Sequence, residues 1–442
     1  MMLKKWGSLL LVGLIAMFML AACSGNDKTS SDKGKSDSSD EEVTLKFVHW
    51  VNEDVGKWES AIAKYEAENP GIKVESIPLV ENMNSVDYFK QLDLMASAGD
   101  EMDVIMFNNP QELAKRVDAG LVEPITKFVE KEGIDINEVY NNSYPAFGGE
   151  NYGLPMKNIT MLIMLNKAHL DEAGLEIPTD WTWDDYAEYA KKLTTDKHYG
   201  SYLHSWHNFH SVLKTMSKAE DNLILHEDGT SNADDPMLRA SLELRNQLEN
   251  VDKSSVPFTE ILSQKMDYRQ QFFSQSASMV PTGSFMITEW GQFTPEFEIA
   301  WAPWPKNKES DKAVAVMSGD LLSIAKSSKH KQEAYEFMRW LSTEGIVEQG
   351  IWTPSWKEAD MDKALETVVN GTKKPDAVHM ESLRNALTTV EPSEVITPAP
   401  YITEVFTEFG AEVELYLLGE QDLDKTMKNI EEKVQAIVDA NK

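Results

Sequence analysis

Between residues 43 and 125, short apolar strands alternate with amphipathic helices, and that alternation is the tightest constraint on the fold. Val43-Thr44-Leu45-Lys46-Phe47-Val48 alternates apolar and polar side chains, as a half-buried strand does. Trp58, Ile62 and Tyr65 then recur at helical spacing, and Asn69-Pro70-Gly71 stops that helix. Ile72-Lys73-Val74 opens a second strand, and Tyr88, Leu92 and Met95 mark a second helix that ends at Ala98-Gly99. Asp103-Val104-Ile105-Met106-Phe107 is a continuous apolar strand of the kind covered on both faces, and Pro110 makes Asn109 the cap of the next helix. Strands separated by helices pair in parallel, which predicts an α/β fold built on a doubly wound sheet.

A second such set begins at Met161-Leu162-Ile163-Met164-Leu165, after the turn-rich stretch from Phe147 to Pro155. Thr182 and Asp185 have the spacing of a capping box, residues 204–250 read as mostly helical, and Ser278-Met279-Val280 is a strand ending in Pro281-Thr282-Gly283. Amphipathic helices are predicted at Lys331–Leu341 and about Leu423–Ala440. For 442 residues, two or three domains are expected.

The first forty residues place the chain. Lys4 and Lys5 precede an uncharged run from Trp6 to Leu20, which is too short to span a bilayer and has the form of a secretory signal. Leu20-Ala21-Ala22-Cys23 resembles the lipobox of bacterial lipoproteins, in which the cysteine is acylated and becomes the first residue. Cys23 is the sole cysteine, so no intramolecular disulfide can form. Residues 1–22 are then a signal peptide and 23–42 a lipidated cysteine with its tether, since Ser24–Glu42 has no aliphatic or aromatic side chain to bury. The expected location is the outer face of a bacterial cell membrane, where ATP and NADH are not supplied.

Motif by motif, enzyme chemistry finds little support. There is no phosphate-cradling glycine loop, no His-Glu-x-x-His and no Gly-x-Ser-x-Gly. A formal net charge of −31 argues against nucleic acid, and in so acidic a chain a pair of carboxylates carries no weight for glycoside hydrolysis. No cofactor is called for.

Several segments, in order, resemble the extracellular solute-binding proteins of ATP-binding-cassette importers, in the branch that includes maltose-binding protein. They are Tyr65-Glu66-Ala67-Glu68-Asn69-Pro70-Gly71-Ile72-Lys73-Val74, Met95-Ala96-Ser97-Ala98-Gly99 before Met102-Asp103-Val104, and Ala119-Gly120-Leu121-Val122-Glu123-Pro124-Ile125. Tyr152-Gly153-Leu154-Pro155, Leu165-Asn166-Lys167, Phe272-Phe273-Ser274-Gln275-Ser276-Ala277-Ser278-Met279 through Gly283-Ser284-Phe285, and Ser328-Lys329-His330-Lys331-Gln332-Glu333-Ala334 continue the series to nearly the end of the chain. The resemblance implies two α/β lobes that close on a ligand like a hinge. It assigns 43–155 plus 320–350 to the first lobe and 156–319 plus 351–442 to the second, with crossings near Leu154–Lys157, Met317–Asp320 and Gly350–Pro354. It implies a monomer that hands its ligand to membrane permease subunits driven by a separate ATPase, and that does no chemistry itself.

The ligand this resemblance implies is a carbohydrate; tryptophan suits one, because an indole face covers the C–H surface of a pyranose, and of the 12 Trp position decides which could serve. Trp50, Asn108 and Asn109 leave the carboxyl ends of strands, where open α/β sheets bind ligands. Trp206 sits with His204 and His207 in the polar aromatic run His204–His210. Phe285 stands where relatives often carry tryptophan, which shifts the expected platform to Trp290, and Asp320 and Trp352 belong to the second and third crossings. Glu53 and Asn82 are further candidates from their loops, whereas Trp58, Trp183 and Trp340 are assigned to packing, and Trp301 and Trp304 to the surface. Three alternatives stay open: a polyamine ligand, metal held by His204, His207 and His210 along one helical flank, and a tethered carbohydrate-active enzyme.

Overall fold

The structure, a computed structural model, describes residues 42–81, 83–141, 146–393 and 398–442. Its strands are β1 (Val43–His49), β2 (Ile72–Pro78), β3 (Val104–Phe107), β4 (Val122–Glu123), β5 (Leu154–Pro155), β6 (Ile159–Asn166), β7 (Tyr199–Ser201), β8 (Ala277–Gly283), β9 (Ile299–Pro303), β10 (Val314–Ala315), β11 (Met317–Ser318), β12 (Leu321–Ala325) and β13 (Glu391–Pro392). Two larger sheets result. The first runs β2-β1-β3-β12-β4, with β5 also on β12, and the second runs β11-β6-β8-β7, with β9 also on β6.

In the first sheet β1, β2 and β3 are parallel, joined by the helices Trp58–Glu68 and Ser85–Ala98. β12 lies antiparallel to β3, β4 and β5, so the sheet is mixed and not wholly parallel as the alternation predicts. The physical reason is connectivity: β12 enters straight from the second half of the chain, without the helical crossover a parallel neighbour needs. The order β2-β1-β3 reverses direction at β1, so the crevice beyond the carboxyl ends of β1 and β3 is a topological switch point.

One apolar core covers this sheet. Trp58 is fully buried with its ring edge-on to Phe47 at 5.1 Å, and Phe337 of the helix Lys331–Trp340 packs on Phe47 at 5.7 Å and on Tyr65 at 5.0 Å. In the second sheet every residue of β6 but the partly buried Met161 is buried, and its side chains divide by parity: Ile163 and Leu165 join one core, Leu162 and Met164 another. Helices therefore lie on both faces, including Trp183–Leu193, whose Thr182–Asp185 capping box forms as its spacing predicts, and the C-terminal Leu423–Ala440.

Two sequence expectations are corrected. Trp301 and Trp304 are not surface residues; β9 pairs with the central β6, leaving Trp301 wholly buried and Trp304 edge-on to Trp183 at 5.2 Å. Residues 204–250 are not mostly helical. Only His207–His210, Leu213–Met216 and Pro236–Asn246 are α-helical, the last continuing into a π-helical turn at Gln247–Val251.

One close approach makes a prediction. A Cβ on Gly200 would lie 1.8 Å from the Ala190 carbonyl oxygen, because β7 is drawn onto the Trp183–Leu193 helix by Thr194, which donates to Ala190 O and accepts from Gly200 N. Gly200→Ala is expected to lower stability by about 1–3 kcal/mol through overpacking, read as an earlier urea midpoint with an unchanged slope.

Candidate ligand cleft

Three segments run side by side between the sheets. Met156 N donates to Asp320 O at 2.8 Å, Asn158 N to Thr353 O at 2.8 Å, and Ser355 N to Met156 O at 2.9 Å. Their side chains form a buried charge network. The Lys157 ammonium is 3.0 Å from Asp320 Oδ2 and 3.4 Å from Glu289 Oε1, and lies 4.6 Å from the centre of the Trp352 ring. Trp352 Nε1 donates to Glu289 Oε1 at 3.3 Å, and Arg269 stands 3.7 Å from the other Glu289 oxygen. Burial pushes the Asp320 carboxyl up to about 6, with Lys157 only partly offsetting it. Burial also works against the Lys157 charge, but Asp320 and Glu289 outweigh it and hold that ammonium above its ordinary value.

At the switch point of the first sheet, Trp50 is nearly buried and leans on Tyr88 at 5.4 Å, whose hydroxyl donates to the main chain of both β1 and β3 at Val48 and Met106. Asn109 caps the helix Pro110–Asp118 through Glu112 N and donates to Asn108 Oδ1 at 2.7 Å; Asn108 donates in turn to Ser85 Oγ. Both amides are thus fixed in place. Glu53 is exposed, but its carboxylate accepts from Glu59 N and so anchors the start of the Trp58–Glu68 helix. Asn82 and Cys23 lie outside the described residues.

From the second sheet, Trp206 is the only aromatic among the large exposed apolar side chains of the described residues, at 44%. It is held edge-on by His204 at 4.7 Å and Tyr268 at 5.1 Å. The three histidines turn to three different partners: His204 to the Tyr202 hydroxyl, His207 to Ser211 and Glu414, and His210 to the Pro281 carbonyl. Burial lowers all three, His204 to about 4 and His207 to about 3, so they are neutral hydrogen-bonding groups. The shared helical flank is corrected as well: the helix holds only His207–His210, and among the described residues no three His, Cys, Asp or Glu converge on a metal position.

Phe285 is half-buried beside Lys157 and Trp352. Trp290 is not brought to the cleft; it is 1% exposed, its indole donates to Met286 O, and it belongs to the core behind the second sheet. Trp352 is 3% exposed and joins the core of the first sheet, 6.0 Å from Trp58.

A cavity of about 290 Å³ joins the two halves, near the lower end of small-molecule sites. Asn109, Gln111 and Glu112 face it from the first half, and Asn208, Phe209 and Phe406 from the second, with Ser318 between them. Neutral amides and hydroxyls set beside aromatic rings suit a ligand that is polar at its rim and apolar on its faces. Sequence reasoning missed most of these residues. Asn208 and Phe209 carried a usable signal, since they lie inside the same polar aromatic run as Trp206. Phe406 carried none, because it is one apolar residue in the ordinary helix Ile402–Leu417.

Comparison with known proteins bears on the family and the fold. The multiple sugar-binding protein of Streptococcus mutans is 25% identical over 354 residues, covering 77% of this chain and 79% of its own. An ABC substrate-binding protein of Listeria monocytogenes, solved in complex with cycloalternan, has the same fold, with a TM-score of 0.70 at 20% identity over 89% of this chain and 98% of its own. UgpB of Mycobacterium tuberculosis, solved with glycerophosphocholine, superposes with a TM-score of 0.71 at 16% identity over 90% of this chain and 99% of its own. The sequence model of the bacterial extracellular solute-binding proteins matches residues 50–348, and the chain belongs to that family.

Proposed function

We propose that this chain is the capture subunit of an ATP-powered carbohydrate importer. Tethered through Cys23 to the outer face of a bacterial membrane, it closes its lobes on a sugar, an oligosaccharide for preference, and presents it to the permease. The lobes are 43–155 with 320–350 and 156–319 with 351–442, turning about the three adjacent segments. It acts as a monomer, needs no cofactor and performs no chemistry.

One observation carries this reading: Asn208 and Phe209, just past the exposed Trp206 indole in the chain, line a cavity that Asn109, Gln111 and Ser318 edge with amides and a hydroxyl. Such a surface takes the C–H face of a pyranose while its hydroxyls turn to Asn109, Asn208 and Ser318. Phe285 and Trp50 extend the apolar surface, and Asn108 and His204 support it from behind. Asp320, Glu53 and His207 are reassigned to structural work. The names of the Streptococcus and Listeria proteins point the same way. The polyamine reading has less behind it, since Asp320 and Glu289 are already matched by Lys157 and Arg269.

Titrating the full chain in detergent with maltotriose, mannotriose, tagatose, glycerophosphocholine and spermidine, while following tryptophan fluorescence, tests this. A saturable change with one sugar is expected, and Trp206→Ala should weaken it about fivefold or more. A response to spermidine alone would overturn the sugar assignment.

A further inference from the structure

The segment that carries Trp206, Asn208 and Phe209 runs from Leu203 to Ser211, both buried. Both of its ends are tied to one guanidinium. Arg245 Nη1 donates to Ser211 Oγ at 2.9 Å and Nη2 reaches Leu203 O at 3.5 Å. Arg245 Nε donates to Glu249 Oε1 at 2.7 Å, and Glu249 Oε2 accepts from Phe258 N at 3.1 Å. The guanidinium and its carboxylate are 0% and 1% exposed, the most deeply buried ion pair among those of the described residues. The pair forms across the junction where the helix Pro236–Asn246 widens into the π-helical turn Gln247–Val251.

The connection continues past Ser211. With Arg245 donating to its oxygen, the Ser211 hydroxyl is free to donate to His207 Nδ1 at 3.1 Å. His207 Nε2 then faces Glu414 at 3.4 Å, on the helix that brings Phe406 to the cavity. One fixed fork thus registers the Trp206 segment against the other second-lobe wall. Lysine has no planar fork with which to serve two ends and a carboxylate together.

We propose that Arg245 is a positioning residue for ligand capture, holding the Trp206–Phe209 segment in its binding posture from inside the lobe. This rests on the reading that the segment walls the ligand cleft. Stability alone gives little reason for the arrangement, because a buried ion pair replaced by apolar residues of similar volume is often neutral or stabilising.

The test uses the full chain labelled with 5-fluorotryptophan and followed by fluorine NMR, the Trp206 signal being identified by its loss in Trp206→Ala. In the double variant Arg245→Met/Glu249→Leu the melting temperature should stay near wild type while the Trp206 signal shifts or broadens and the other tryptophan signals hold. Maltotriose affinity should fall several-fold in parallel. A Trp206 signal identical to wild type would overturn the proposal. Should the double variant not fold, Ser211→Ala decides by the same signal: displacement supports the proposal and no change overturns it. A wild-type chain that ignores maltotriose defeats the use of that sugar, yet the NMR signal, read without any ligand, still decides on Arg245.

Discussion

Replacing Lys157 with methionine is expected to cost about 3–5 kcal/mol of stability at pH 7.5 and far less at pH 5. The ammonium is 4% exposed and is the cation against Asp320, 3.0 Å away, whereas Glu289 keeps Arg269 at 3.7 Å. Removing it leaves Asp320, 1% exposed, as a bare buried charge. Burial already lifts that carboxyl to about 6, against 3.8 in the open, and the loss of Lys157 lifts it further. A carboxyl with a raised folded pKa resists ionisation, so its penalty is absent below the unfolded value and complete above the folded one. The deficit of the variant should therefore shrink as pH falls and Asp320 takes up a proton. Urea unfolding of wild type, Lys157→Met and Lys157→Met/Asp320→Asn at both pH values measures this. The double variant should regain most of the loss at pH 7.5. A single variant that matches wild type throughout would mean that the network carries no buried charge.

The second large effect is acid sensitivity, and its sign is opposite. His49 is fully buried between Phe47 and Trp58, each ring 4.7 Å away, with Nε2 2.8 Å from Ser76 Oγ, and burial holds it at about 3. His207 is likewise held at about 3, by burial and the Arg245 charge. His169 is held at about 4, by burial and by His198 stacked on it at 3.8 Å, and His204 at about 4, chiefly by burial. These groups bind protons when unfolded at about 6.5 but not when folded. The stability they confer is present above that value and drains away as pH falls toward 3–4. Each costs up to about 1.4 kcal/mol per pH unit in that window, the less buried ones less. Unfolding at pH 5 should take up two or more protons, read from the slope of stability against pH, and His49→Gln should remove about one. Equal slopes for the two chains would show that His49 titrates normally.

Much of the architecture could be read locally because its signals are local. The apolar run Val104–Phe107, the Asn109 cap before Pro110 and the Thr182–Asp185 box each state their own structure within a few residues. Strand direction could not be read that way, since nothing in Leu321–Ala325 says that its neighbour will be β3. Tryptophans misled wherever burial depends on distant partners: Trp290 and Trp301 look alike in sequence to Trp206, yet only Trp206 meets solvent. The Lys157–Glu289–Asp320 network joins side chains more than 130 residues apart, and no local pattern marks it. The fork of Arg245 was invisible for the same reason.

The position of β12 also bears on the chain before it is whole. The strand sits between β3 and β4, in the interior of the first sheet, yet it is made only after residue 320. Until then β3 is an open edge, and Phe47 lacks Phe337 of the helix Lys331–Trp340, which packs on it at 5.7 Å. A growing chain therefore cannot finish its first lobe while the second is being synthesised. Nearly three quarters of it stays unfinished and open to chaperones, with folding waiting on a long-range pairing that closes late and slowly.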